Sequence, residues 1–484
     1  MADSLKQKTI AGVSWSFVEQ ILTRGVNFVI GILLARILSP TDYGLVGMLA
    51  VFIAVSQIFI DGGLISALIR EKSPSQEDLS TVYLLNMGLS VVFYFILFFS
   101  APLVSGFYEQ PILCPLLRVV ALGLVISSVA SVHNTLLSIR VDFRTKSLVS
   151  FCTALFSGIA GIVCAYRGMG VWALAAQTLA AAAVSTLLLL VLVRWKPSLV
   201  FSRDSFRRLF SYSSKLLVTN LVRTLFDNIN SLVIGKRFSA ASLGQYSRAG
   251  QFPGVANSTI SSALNQVAFP VLCKLQDDDE RLLRVYEKYI QLCCFIIFPV
   301  MLGLCGCAKP LVLLLLTDKW LECVPLMQIL CIALLTDCVT HINLDLLFAK
   351  GRTDIVLRLE LVKKVIAFII LLATMFISLE AICIGQVVNA FVALYINTFY
   401  TKKILGYGLW AQVKVMVPYL LCALVVLAEG LLFSHLIQST WLSLLVSMAV
   451  CIPTYWLLVK VTGLYAYQET LTLVKERLSH RKEA

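Results

Sequence analysis

Long apolar runs separated by short polar stretches set the pattern of the chain. A helix of about 20 apolar residues is long enough to cross a bilayer. On that measure about fourteen spans are predicted, over 12–36, 43–69, 82–106, 115–137, 147–166, 171–193, 213–235, 243–270, 286–307, 323–349, 359–378, 381–400, 413–434 and 440–460. The eighth is the most polar, with Pro253, Gly254, Asn257, Ser258, Ser261, Ser262 and Asn265. It is included because the charges on either side of it require a crossing there. The first lacks the small-residue cleavage pattern that follows the short core of a signal peptide, so it is expected to remain as a membrane helix. The fold class that follows is an all-α polytopic membrane protein.

The pattern also repeats. Sliding the chain by 200 residues sets Leu38-Ser39-Pro40 on Phe238-Ser239-Ala240 and Tyr43-Gly44 on Leu243-Gly244 without a gap. Phe52, Val55 and Ile60 fall on Phe252, Val255 and Ile260. Gln20, Arg24 and Asn27 make a helical stripe at i, i+4, i+7 spacing, and Asn220, Arg223, Asp227 and Asn230 make another at nearly equivalent positions. The offset is six spans, an even number, so both copies cross in the same direction. Transporters built from such parallel repeats hold their substrate near the midplane and rock the halves against each other. The expected organisation is a first lobe of spans one to six (1–196), an amphipathic interfacial linker (197–212) and a second lobe of spans seven to twelve (213–404). Spans thirteen and fourteen (405–461) and a cytoplasmic tail (462–484) follow as additions.

Composition sharpens this picture. Of 484 residues 59% are hydrophobic and 14% charged, against about 25% charged in a soluble domain. Disorder and a soluble nucleic-acid-binding domain are both excluded. The net charge of +13 is a topology signal. With the N-terminus in the cytoplasm, thirty of the 40 Lys+Arg fall on inside segments. Six fall outside, at Arg36, Arg167, Lys236, Arg237, Lys309 and Lys319. That bias puts both termini inside. The outside connections are too short for an extramembrane catalytic domain, and no Gly-x-x-x-x-Gly-Lys-Ser/Thr sequence occurs, so neither an enzyme nor an ATPase is expected. The 14 cysteines are scattered through the spans. Cys293-Cys294 and Cys305-Gly-Cys307 lack the partners of a metal site, so no metal is predicted and the thiols are expected as small buried hydrophobes.

Four arginines remain inside spans: Arg24, Arg118, Arg223 and Arg248. Each costs at least about 2.5–3.5 kcal/mol at a helix centre, which makes it a functional candidate. Glu19 and Arg24 lie about 140° apart on an ideal helix and do not pair locally, so Arg24 is expected to face a polar cavity. Arg223 and Asp227 are i, i+4 neighbours, and mutual neutralisation is the competing reading. For Arg118 and Arg248 the competing reading is snorkelling to the outer interface. Asp337, His341 and Asp345 share one face of span ten, as a proton or cation relay or as interhelical hydrogen-bonding groups. Asp61, before Gly62-Gly63, is an ion ligand or a support for a helix break. Gln20, Asn27 and Asn220 complete the candidate substrate-binding set, and Asp61, Asp227, Asp337, His341 and Asp345 the candidate ion-coupling set. A cavity with more arginine than acid favours an anion, since guanidinium pairs bidentately with phosphate and stays charged.

Gly12-Val13-Ser14-Trp15-Ser16 and the run from Leu34-Ala35-Arg36 through Ser39-Pro40-Thr41-Asp42-Tyr43-Gly44-Leu45 resemble bacterial polysaccharide exporters. So do Ile234-Gly235-Lys236 through Leu243-Gly244-Gln245-Tyr246-Ser247-Arg248-Ala249 and Phe269-Pro270. The family is the polysaccharide transport branch, with teichuronic acid, colanic acid and O-antigen flippase-like members, of the multidrug/oligosaccharidyl-lipid/polysaccharide superfamily. The resemblance implies a two-lobed, fourteen-helix flippase of the bacterial inner membrane. Its implied cargo is an undecaprenyl-diphosphate-linked glycan of lipopolysaccharide or exopolysaccharide biosynthesis. Central arginines would engage the diphosphate, a groove would take the lipid tail, and a Na+ or H+ gradient would drive resetting. Arg24 matches the first-span cavity arginine and Arg223 its seventh-span counterpart, one residue off the repeat register. A glycan polymerase and glycosyltransferases are the implied protein partners. The competing functions are a cation-coupled multidrug exporter, which the acidic face of span ten would suit, and a membrane-embedded glycan polymerase or ligase.

Overall fold

The computed structural model describes residues 23–71, 74–465 and 467, and helices are the sole regular element among them. Helix α1 covers 23–37. It is followed by α2 (Pro40–Asp61), α3 (Leu64–Arg70), α4 (Gln76–Tyr108), α5 (Leu113–Ser128), α6 (Ser131–Ile139), α7 (Phe143–Tyr166) and α8 (Val171–Leu192). Then come α9 (Arg203–Arg237), α10 (Ala240–Lys274), α11 (Asp279–Gly306), α12 (Ala308–Leu315), α13 (Cys323–Ala333), α14 (Asp337–Ala349), α15 (Thr353–Thr374), α16 (Leu379–Leu405), α17 (Leu409–Leu436) and α18 (Thr440–Val461).

A helix lies on every predicted span, and spans two, four and ten are each built from two. Among the described residues nine helices are long and apolar enough to cross a membrane, or ten when α5 and α6, bent by 45° at their junction, count as one. The shortfall from fourteen has a physical cause. The described part of α1, 23–37, is too short to count. Helices α9 and α10 carry Arg223, Asp227, Arg248 and many amides and hydroxyls, and α15 carries Arg358, Glu360, Lys363 and Lys364. Along α4, Phe95, Phe99 and Leu103 are exposed at i, i+4, i+8. So large an apolar ridge suits lipid rather than water.

Local chemistry sets the helix ends. Ser39 caps α2 in a reciprocal box with Asp42, and Ser75 caps α4 in another with Asp78. Gly62 and Gly63 have φ of 52° and 71°, a left-handed turn that glycine adopts without strain and that separates α2 from α3. The repeat shows in three dimensions at the starts of α2 and α10. A Cβ added at Gly44 would stand 1.6 Å from the Ala240 carbonyl oxygen, and one added at Gly244 would stand 1.9 Å from that of Pro40. Residues 200 apart thus exchange the same close contact.

The helices cluster in two compact units that divide at Gly244/Gln245. In the first, α7 packs on α8, α4 on α5, and α9 on α2, α3 and α4. Its cores hold Leu64, Leu68, Val82, Leu136 and Leu209, and Ile30, Leu34, Ala173 and Leu174. In the second, α11 packs on α17 and α17 on α18, around Tyr286, Phe298, Tyr419, Ala423 and Tyr455.

From Arg203, capped by Ser202, the stretch expected as a linker forms the first turns of α9. Arg208 draws those turns onto the start of α4, with Nη2 2.5 Å from Asp78 Oδ1 and Nε 3.5 Å from Glu71 Oε1. Span seven therefore packs with the first unit. Spans thirteen and fourteen, the additions to the repeat, pack into the core of the second unit.

Candidate functional site

The bend in span four organises the first unit. Where α5 stops, Ala130 N–H bonds to Ser127 O instead of continuing the ladder to Ile126. The Ile126 carbonyl takes a hydrogen bond from Thr186 Oγ1 of α8, at 2.9 Å. From α4, Asn86 Nδ2 donates to Ser131 Oγ at 3.3 Å, and Ser90 Oγ lies 2.8 Å from Ser128 Oγ. A broken helix is tolerated at membrane depth where such groups satisfy it and where it lines a cavity.

This break does line one. A cavity of about 360 Å3 is walled by Gln57 and Asp61 of α2, Ser127, Ser131 and Asn134 at the break, Lys146 of α7 and Ser185 of α8. It shares Asp61 and Ile65 with a cavity of about 330 Å3 that is closed by Asn220, Arg223 and Thr224 of α9. It shares Gln57, Ser127 and Ser185 with a third of about 340 Å3. Gln57 Nε2 donates to Asp61 Oδ1 at 3.1 Å. Arg223 Nε lies 3.5 Å from Asp227 Oδ2, with the arginine side chain 77% exposed.

The second unit places its charges at the corresponding break. Asp337 opens α14 after a three-residue break from α13, and accepts a 2.6 Å hydrogen bond at Oδ2 from Asn257 Nδ2 of α10. His341 Nε2 is 3.7 Å from the same oxygen, and Asp345 Oδ2 is buried without a hydrogen bond among the described residues. The predicted face of span ten is therefore assembled, with Asn257 added. Beside it, Tyr286, Asn343, Gln412 and Thr401 form a fully buried hydrogen-bonded set. The unit also holds an apolar cavity of about 450 Å3, walled by Phe295, Pro299, Leu311, Val426, Met448 and Trp456.

The remaining candidates are dispersed. Arg24 and Asn27 are exposed on α1, and Gln20 lies outside the described residues. Arg118 stacks 4.2 Å over the Phe98 ring and donates from Nε to Phe98 O at 3.2 Å, so it fastens α5 to α4. Arg248 is buried, bonded to Gln251 and 5.6 Å over the Trp320 ring. Among the described residues no cluster of three or more His, Cys, Asp or Glu fits a metal ion. Ten cysteines are buried. Sequence reasoning missed Gln57, Ser127, Ser131, Asn134 and Ser185. The spacing of Ser127, Ser131, Asn134 and Ser138, at i, i+4, i+7 and i+11, was the signal that could have found four lining residues of this cavity.

Residues 33–325 match the polysaccharide biosynthesis protein family. The chain belongs to that family. It is similar to the lipopolysaccharide biosynthesis protein WzxC of Escherichia coli K12, with 27% identity over 466 residues, 95% of this chain and 89% of the relative. It is also similar to the teichuronic acid biosynthesis protein TuaB of Bacillus subtilis 168, with 25% identity over 73% of each chain. In fold it resembles a lipid II flippase, MurJ, in the inward closed conformation. The TM-score is 0.76, over 94% of this chain and 99% of that one, with 13% identity. This family member is a multi-pass membrane protein, all-helical among its described residues, with the fold of that flippase.

Proposed function

We propose that the chain moves an undecaprenyl-diphosphate-linked oligosaccharide across the bacterial cytoplasmic membrane by alternating access. The observation that carries this reading is Arg223 on the wall of a polar cavity, beside Asn220, Thr224 and Asp61. Its pairing with Asp227 is long and exposed, and exposed i, i+4 pairs are worth only about 0.3–0.5 kcal/mol. A diphosphate offers bidentate, charge-assisted bonds that outcompete such a pair. Arg24, on α1, supplies the second guanidinium. The apolar cavity between α11, α12, α17 and α18 suits an isoprenoid tail, which needs no polar contact.

The positive-inside pattern supports both termini in the cytoplasm, so the sugar-diphosphate head enters from inside and leaves outside. A Na+ or H+ gradient resets the transporter through Asn257, Asp337, His341 and Asp345. Glycosyltransferases that complete the glycan act before it, and a glycan polymerase acts after it.

The test is deletion followed by mass spectrometry of extracted lipids. Lipid-linked oligosaccharide accumulates inside and surface glycan disappears, and each of Arg24→Ala and Arg223→Ala reproduces this while the protein still inserts. Normal surface glycan in both single variants would refute the arginine assignment. Lost tolerance to toxic cations with intact glycan would instead indicate a cation-coupled drug exporter.

A further inference from the structure

The cavity at the bend of span four has no counterpart in the arginine–diphosphate account. Its lining is chemically distinct from that around Arg223: hydroxyls and amides from four elements, with one carboxylate and one ammonium. Lys146 Nζ is engaged by Ser138 Oγ at 3.1 Å. Asp61 gives one oxygen to Gln57, and among the described residues no protein donor meets the other. The side chains of Asn134, Ser127 and Ser185 likewise make no hydrogen bond to protein among the described residues, and those of Asn134 and Ser127 are exposed. Their donors and acceptors are therefore open to a ligand that enters the cavity. Thr135 and Thr186, by contrast, bond to backbone carbonyls at 2.9 Å and serve the helices.

We propose that this cavity is a carbohydrate subsite, which takes a neutral sugar ring of the glycan head through Asp61, Asn134, Ser127 and Ser185. The fit is chemical. A pyranose presents a ring of hydroxyls that both donate and accept. A carboxylate accepts from two of them, an amide does both, and serine hydroxyls adapt to either role. The volume, about 360 Å3, falls in the range of about 300–1,000 Å3 typical of small-ligand sites. The wall shared through Asp61 and Ile65 with the Arg223 cavity puts sugar and diphosphate subsites side by side, as a glycan joined directly to its diphosphate requires. Asp61 and Lys146 offset each other in charge across the lining, which suits an uncharged ring.

This proposal rests on the flippase reading, and the two fail differently. Full-length protein in nanodiscs is titrated with two probes. One is the lipid-linked oligosaccharide purified from cells lacking the chain; the other is undecaprenyl diphosphate without sugar. Ser185→Ala, which removes one hydroxyl, and Asn134→Leu, which fills the cavity, should weaken binding of the first probe by about tenfold or more. Binding of the second probe should change by less than about twofold, and its retention shows that each variant is folded. Arg223→Ala should weaken both. If wild type binds the first probe and both variants bind it equally well, the subsite is overturned and the flippase reading stands. If wild type binds neither probe, both readings are overturned. Should Asn134→Leu fail to fold, Ser185→Ala alone decides.

Discussion

Spans four and ten occupy equivalent places in the repeat, and both are broken, but they are filled with different chemistry. At the break between α5 and α6 the lining is Ser127, Ser131 and Asn134, with Gln57 arriving from α2. At the break between α13 and α14 it is Asp337, His341 and Asp345, with Asn257 arriving from α10. Gln57 and Asn257 stand 200 positions apart, so the same repeat position reaches the break in each unit. One break presents hydroxyls and amides, and the other two carboxylates and an imidazole. A duplicated helix break is a general means of opening backbone and side chains to a cavity, and what each copy does is set by the residues placed there.

The comparison presumes that the two repeats share a framework, and the largest effect tests that. Gly44→Ala and Gly244→Ala each drive a methyl group into a backbone carbonyl, at 1.6 Å and 1.9 Å. Neither carbonyl can rotate away as a side chain would. Both variants should lose nearly all monodisperse protein on size-exclusion chromatography, to a similar degree. Normal yield of either one would break the symmetry on which the equivalence of the two breaks depends.

The next effect separates the breaks themselves. Asp337→Ala should lower gradient-driven transport in proteoliposomes on the order of tenfold or more, the scale of a lost charged hydrogen bond, while lipid-linked glycan still binds. Asp61→Ala should do the reverse, weakening glycan binding at every gradient. A reversed pattern would exchange the two assignments. Smaller and more diagnostic are the equivalent amides. Asn257→Ala removes a 2.6 Å bond to Asp337 and Gln57→Ala a 3.1 Å bond to Asp61. Each should cost several-fold, about 1 kcal/mol, in the property of its own break.

What the sequence made legible follows the same division. The spans, the repeat and the face of Asp337, His341 and Asp345 all follow from periodicity, which the helix preserves. Arg223 with Asp227 followed from i, i+4 spacing. The dissent lies with Arg118 and Arg248. Both were candidates because charge is costly in a membrane, yet each rests on an aromatic ring, Phe98 or Trp320. That ring is contributed by a distant segment, and no local pattern reveals it. The hydroxyl cavity was hidden for a related reason. Serine and threonine lower a hydropathy window very little, and Ser185 and Gln57 reach the face of Ser127, Ser131 and Asn134 from other helices. The packing of α9 with the first unit was hidden too, because its partners α2, α3 and α4 are distant in sequence, as Arg208 is from Asp78.

The smallest effect distinguishes groups that support a break from groups that line its cavity. Thr186 and Ser185 are neighbours on α8, and both touch the span-four cavity. The Thr186 hydroxyl already donates to the Ile126 carbonyl that the bend leaves open, whereas Ser185 has no such engagement. Thr186→Val keeps the shape and removes that donor, so it should cost about 1–2 kcal/mol of stability. In a unit of this size that is roughly 2–8 °C in the midpoint of thermal loss of monodisperse protein. Glycan affinity should move less than in Ser185→Ala, which should leave the midpoint nearly unchanged. In the second unit, Asn397 donates to the Thr340 carbonyl of α14 at 3.2 Å, so Asn397→Ala should likewise lower the midpoint and spare gradient coupling. If Thr186→Val instead weakened glycan binding at constant stability, the threonine would be a ligand of the sugar, and the line between support and lining at this break would have to be redrawn one residue further along α8.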